Sequence, residues 1–213
     1  MRIKVLGGTG YAGSHIVREA VARGHQVTSY SRSLPEAPVE GAVYRTGNVL
    51  DDAFLTEAVA DTDAVFEALS PRGELEGKLE GVRDRLIPLA AKAGVRLGIL
   101  AGASSLHVAP GGPRLLDVRP PAPEIRGEVM TGVTLLETLR DSPEELDWFA
   151  VSPAASFGAW VPGEATGAYR VSQDVLLVDE NGDSKISGAD LALAVVDELE
   201  APAHRRRRFH VAY

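Results

Sequence analysis

The 213-residue chain contains no cysteine, so disulfides and thiol chemistry are both excluded. It also has no run approaching the roughly 20 apolar residues that a membrane-crossing helix requires, and no membrane association is expected. The short apolar stretch near its start reads as a first strand and not as a secretory signal, which predicts a cytoplasmic protein. Positive charge is in short supply: 22 Lys and Arg against 30 Asp and Glu give a formal net charge of −8, which argues against nucleic acid as a partner. Arg205 to Arg208 are a local exception, and beside Phe209, Val211 and Tyr213 they read as a solvated, charged approach to a last strand. Histidines at 15, 25, 107, 204 and 210 show no metal-ligand spacing. With 45% hydrophobic and 24% charged residues, the composition suits one substantial core, so a single domain over residues 1–213 is expected, as a monomer or weak homodimer.

What the chain does have is a short apolar strand running straight into Gly7, Gly10 and Gly13, followed by a helical run to Arg23. That arrangement suits a dinucleotide phosphate. The turn needs backbone angles that side chains forbid, the chain must touch the pyrophosphate, and the helix must pack closely on the strand. Phosphate then sits at the helix N-terminus, where unpaired N–H groups and the macrodipole favour negative charge.

Apolar runs at 3–6, 26–30, 43–44, 64–66, 97–100 and 148–151 alternate with helical periodicity at 11–23, 53–59, 75–93 and 124–140. This alternation predicts an α/β fold: a doubly wound parallel sheet of Rossmann type. Gly24 and Gly94 are placed as left-handed helix ends. Residues 104–123 hold five prolines and the pair Gly111-Gly112, so an irregular loop is expected at the carboxyl edge of the sheet, where ligands bind. Residues 154–167 read as a second loop. Residues 169–171 with 176–178 read as a small C-terminal hairpin excursion over the substrate end.

The end of the second strand decides between the two nicotinamide cofactors, through an acid for the ribose of NAD or a base for the extra phosphate of NADP. Here the sequence is Tyr30-Ser31-Arg32-Ser33, with no acid before Glu36. Arg32 offers a planar fork to a phosphate, and Ser31 and Ser33 can donate hydrogen bonds, so NADPH is expected.

The segments 7–13 (Gly-Gly-Thr-Gly-Tyr-Ala-Gly), 30–33, 47–51 (Gly-Asn-Val-Leu-Asp), 100–105 (Leu-Ala-Gly-Ala-Ser-Ser), 147–153 and 187–192 together resemble the atypical short-chain dehydrogenase/reductase group. That group includes NmrA-like proteins, NADH-flavin reductases and biliverdin IXβ/flavin reductases, and the resemblance covers nearly the whole chain. It implies that Gly7, Thr9, Gly10, Tyr11, Ala12 and Gly13 hold the pyrophosphate and Arg32 the 2′-phosphate. Asn48 and Val49 would flank the adenine, with Asn48 standing where the family often has Asp. Ala68, Leu69 and Ser70 would lie beside the ribose. Ala101, Gly102 and Ala103 would pass under the nicotinamide with Ser104 at its reactive edge, and Ser152, Pro153 and Ala154 would close the other side.

Ordinary short-chain dehydrogenases exchange a proton through a Tyr-x-x-x-Lys pair, in which the Lys charge lowers the Tyr pKa. This chain lacks the pair. Four positions after Tyr11, Tyr30, Tyr44 and Tyr169 stand His15, Leu34, Asn48 and Gln173, and residues 124–140 contain neither Tyr nor Lys. Hydride transfer to a flavin asks for less, because the acceptor needs only to stack near the nicotinamide and can take its proton from solvent. The expected function is therefore reduction of a small-molecule acceptor, such as a flavin, by NADPH. Ser104, Ser105 and His107 are the polar candidates beside it. The rival expectation is an NmrA-like sensor that binds NADPH and turns nothing over.

Residues 179–190 mimic a calcium loop, but Ser184 and Asp190 replace the Gly and the bidentate Glu such a loop needs. A tight Asn181-Gly182 turn and a helix capped by Ser187 and Asp190 are expected instead. Asp51-Asp52 are read as helix caps.

Overall fold

A computed structural model describes all 213 residues. It contains one eight-stranded sheet in the order β3-β2-β1-β4-β5-β6-β8-β7. The strands are β1 (Arg2–Leu6), β2 (Gln26–Ser31), β3 (Ala42–Thr46), β4 (Ala64–Glu67), β5 (Arg96–Leu100), β6 (Trp148–Ser152), β7 (Arg170–Ser172) and β8 (Arg207–Ala212). Seven are parallel to their neighbours, and only β7 at the edge runs antiparallel, on β8. The helices are α1 (Tyr11–Ala22), α2 (Asp52–Val59), α3 (Leu79–Ala93), the one-turn α4 (Leu115–Val118), α5 (Arg126–Arg140) and α6 (Gly188–Glu200). No helix is long and apolar enough to cross a membrane.

Central strands β4 and β6 are buried at every position because helices cover both faces of the sheet. One core joins Leu55, Leu86 and Leu135 from α2, α3 and α5 to Leu97 and Trp148; the other joins Ile16 and Val195 from α1 and α6 to Phe66, Phe149 and Phe209. The helix ends follow local chemistry. Gly24 and Gly94 have φ of +81° and +64°, and Asp51 caps α2 by accepting from the Ala53 N–H at 2.8 Å. The order β3-β2-β1-β4 reverses the direction of winding between β1 and β4. A crevice therefore opens at their carboxyl ends, beside Leu6 and Glu67.

Three expectations need correction. Residues 176–178 do not pair with β7: the Leu176 N–H goes to the His107 carbonyl and the Leu177 N–H to Nε2 of His210, while β7 pairs with β8. The expected hairpin is thus an edge pairing between strands far apart in sequence. The 104–123 segment is not wholly irregular, since α4 lies within it, opened by an Arg114–Asp117 pair. In the arginine cluster, Arg208 is buried in β8 against Asp174, and Arg206 donates to the carbonyls of Ser142, Pro143 and Leu146. Both side chains bind the protein, Arg208 buried and Arg206 half-buried.

Candidate cofactor cleft and acceptor cavity

At the end of β1 the chain turns through Gly7 at φ +85°, where a Cβ would stand 2.9 Å from the Ala68 carbonyl oxygen. A Cβ on Gly13 would meet the Gly7 carbonyl oxygen at 2.2 Å, so Gly13 lets α1 close on the turn and does not itself line the cleft. Gly8 is equally constrained, by Ser29 beneath it at 2.2 Å from a hypothetical Cβ, and the glycine spacing alone did not single it out. The N-cap of α1 is Gly10, which offers no side-chain acceptor. The first N–H groups of α1 are thus left for an outside anion, which fits a pyrophosphate.

A cleft of about 610 Å³ runs from this turn. Thr9, Gly10, Tyr11 and Ala12 line its centre, and Ala68, Leu69 and Ser70 line the wall toward β4. Ser31, Arg32 and Ser33 stand at one end, with Asn48 and Val49 beside them. The Asn48 side-chain Oδ1 accepts from the Leu50 N–H at 3.0 Å, leaving its side-chain amide N–H groups for a ligand. Gly47 lets the Phe54 ring reach this end, since a Cβ there would be 2.0 Å from the ring. Arg32 is 76% exposed and only 3.7 Å from Glu74, so its fork is accessible, though with a competing carboxylate nearby. Ser31 Oγ donates to the Ser33 carbonyl at 2.8 Å.

A second cavity, of about 330 Å³, continues from the first. Leu69, Ser70, Leu100, Phe157 and Trp160 line both. Ala101, Gly102, Ala103, Ser104 and Ser105 follow β5 along its wall, and Pro153 and Ala154 follow β6. Ser152 lies outside the lining: it is buried and donates to the Gly102 carbonyl at 2.9 Å, fixing the β5–β6 edge. Ser105 Oγ accepts from Arg208 at 2.6 Å. His107 lines neither cavity; its Nδ1 is 2.6 Å from the Gly112 carbonyl, and its backbone bridges to Arg114 and Val175. Of the three polar candidates, Ser104 alone lines the cavity with no hydrogen-bond partner on its hydroxyl.

Residues 7–202 match the sequence profile of a family described as NAD(P)H-binding. The chain belongs to that NAD(P)H-binding family. A Bacillus subtilis relative, the uncharacterized protein YwnB, is 34% identical over 216 residues, covering 99% of this chain and 98% of its own. Among solved structures, a "putative epimerase" from Bacteroides thetaiotaomicron is 34% identical with a TM-score of 0.87, covering all of this chain and 96% of its own. A "putative NADH-flavin reductase" from Streptococcus pneumoniae is 30% identical with a TM-score of 0.83, covering all of this chain and 99% of its own. The two names disagree about chemistry, so likeness within the family leaves the reaction to be argued from the site.

Two features of this family member lie outside the sequence expectations. The first is a tether on the 154–167 loop, which carries Phe157 and Trp160 over both cavities. Tyr11 OH donates to the Pro162 carbonyl and accepts from the Gly188 N–H, each at 3.0 Å. Asp190 accepts from the N–H groups of Thr166 and Gly167 at 2.8 and 2.9 Å, and from Tyr213 OH. Burial works to raise the Asp190 carboxyl, but these hydrogen bonds outweigh it and hold the group below the usual carboxylate range. The residue that completed the calcium-like pattern is therefore committed to the loop. Ser187 caps α6 by accepting from the Asp190 N–H at 3.0 Å.

The second is a buried ion pair beneath the junction of the cavities. Glu67, the last residue of β4, is fully buried and meets Arg83 of α3 at 2.7 Å. The same carboxylate accepts from the Leu69 N–H at 3.0 Å, fixing the chain where it passes the cleft. A signal was present. Arg83 falls on the apolar stripe of α3 with Leu79, Val82 and Leu86, and an arginine there calls for a buried acid.

Proposed function

We propose that this chain is an NADPH-dependent reductase that passes hydride to a flavin or a similar flat conjugated acceptor. The observation that carries the reading is the continuity of the two cavities: a nucleotide cleft opens directly into an apolar chamber at Leu69, Leu100, Phe157 and Trp160. When bound, NADPH supplies the hydride, and the oxidised acceptor takes both electrons with one proton from solvent. The protein's part is positioning. The open end of α1 and the glycine turn hold the pyrophosphate, Arg32 pairs with the 2′-phosphate, and Asn48 with Val49 flanks the adenine. Leu100 to Ala103 and Pro153 set the plane on which the acceptor must lie, Phe157 and Trp160 supply aromatic faces, and Ser104 offers a hydroxyl at the edge. Nothing in that list replaces the missing Tyr-Lys pair, which argues against alcohol oxidation by the usual proton route. A cytoplasmic protein, monomeric or weakly dimeric, belongs to the same proposal.

The test is anaerobic mixing with NADPH and a panel of FMN, riboflavin and quinones, followed at 340 nm. Saturable NADPH consumption with at least one of them is the expected result. Tight NADPH binding without turnover across the panel would replace the reductase by a nucleotide sensor.

A further inference from the structure

Arg83 is 4% exposed, and two of its nitrogens are spent on Glu67, Nε at 2.7 Å and Nη2 at 3.4 Å. The third, Nη1, is buried and donates to nothing in the protein. Buried donors are rarely left this way, because losing water without gaining a partner costs stability. Arg83 also lines the smaller cavity, beside Ser70, Thr131 and Gly132. The Thr131 hydroxyl is not the missing partner, since it donates to Glu80.

Resting on the reductase reading above, we propose that Arg83 is the acceptor-recognition residue: its unpaired Nη1 binds a neutral carbonyl oxygen of the flat conjugated acceptor. Charge selects the class of oxygen. Glu67 cancels Arg83, and at the junction Glu128 cancels Arg72 at 2.6 Å, so no net positive charge remains to draw a carboxylate into the cavity. A carbonyl needs only the donor. Glu67 works as a positioning residue, holding the guanidinium while its backbone neighbours follow the cleft through the Leu69 N–H. The apolar walls, Leu100, Leu115 and Val133 among them, then cover the rest of a conjugated ring.

The experiment uses protein saturated with NADP⁺, so that no turnover occurs, and measures binding of 1,4-naphthoquinone, naphthalene and 1-naphthoate by equilibrium dialysis. The absence of cysteine removes thiol addition to the quinone as a complication. Wild type is compared with Arg83→Lys, which keeps a cation for Glu67 but has no spare arm. It is also compared with the double variant Glu67→Gln with Arg83→Met, which leaves no orphan charge; circular dichroism melting verifies that each variant folds. The wild type should bind the quinone about tenfold or more tighter than naphthalene, the factor a hydrogen bond from a charged donor supplies. Both variants should lose that gain, and Arg83→Lys, which leaves Glu67 on the Leu69 N–H, should keep NADP⁺ affinity within twofold. NADP⁺ binding with the same quinone affinity in all three proteins would overturn this inference alone, as would tighter binding of naphthoate than of quinone. Failure of the wild type to bind NADP⁺ would bring down the reductase reading and the inference with it.

Discussion

Arg32 is the one basic side chain at the end of β2, and its exposed fork has no protein partner closer than Glu74 at 3.7 Å. Replacing it with Ala should weaken NADPH binding about ten- to hundredfold and leave NADH nearly unchanged, measured by titration of both cofactors. Gly13 tests the turn from another side. A Cβ there would overlap the Gly7 carbonyl oxygen at 2.2 Å, and since backbone cannot yield cheaply, Gly13→Ala should abolish nucleotide binding and lower the melting temperature. At this scale the sequence was informative where chemistry is local, as in the glycine turn and the Asp51 cap. It could not name partners that lie far apart in the chain. Arg83 and Glu67 are 16 residues apart, and Arg208 meets Ser105 across 103 residues of chain, so no spacing rule could pair them.

The elements that matter most are α1, α6 and the loop between β6 and β7, because Tyr11 and Asp190 tie that loop to both helices. Tyr11→Phe removes the hydroxyl that joins Pro162 to Gly188 and should cost about 1 kcal/mol in stability, with faster proteolysis within residues 157–168. Asp190 gives the same loop a pH dependence. Its carboxyl is held below the ordinary 3.8, so its contribution is fully present above that value and is lost as pH falls through the lower folded one. Melting curves of wild type and Asp190→Asn should therefore differ by a constant amount at neutral pH and converge below about pH 4. A gap that widened on acidification would contradict the assignment. The apolar runs located the central strands to within a residue or two, because strands buried on both faces have a plain pattern. The pairing of β7 escaped, since three residues of edge strand carry too little pattern to name a partner, and β8 lies far along the chain.

Across the whole molecule, two cores of similar size clamp the sheet and leave its carboxyl edge to the site, where the nucleotide cleft and the smaller cavity meet. The alternation of strands and helices made this layout legible in advance, as did the position of the first turn. The shared wall of the two cavities was not, because Leu69, Leu100, Phe157 and Trp160 come from three separated segments that only folding assembles. The central claim is that the cleft takes a nicotinamide dinucleotide bearing the extra phosphate. Isothermal titration of the purified protein with NADPH and with NADH tests it most directly. One saturable site per chain, with NADPH at least tenfold tighter than NADH, is the predicted result; no saturation with either nucleotide, or equal affinity for both, would contradict it.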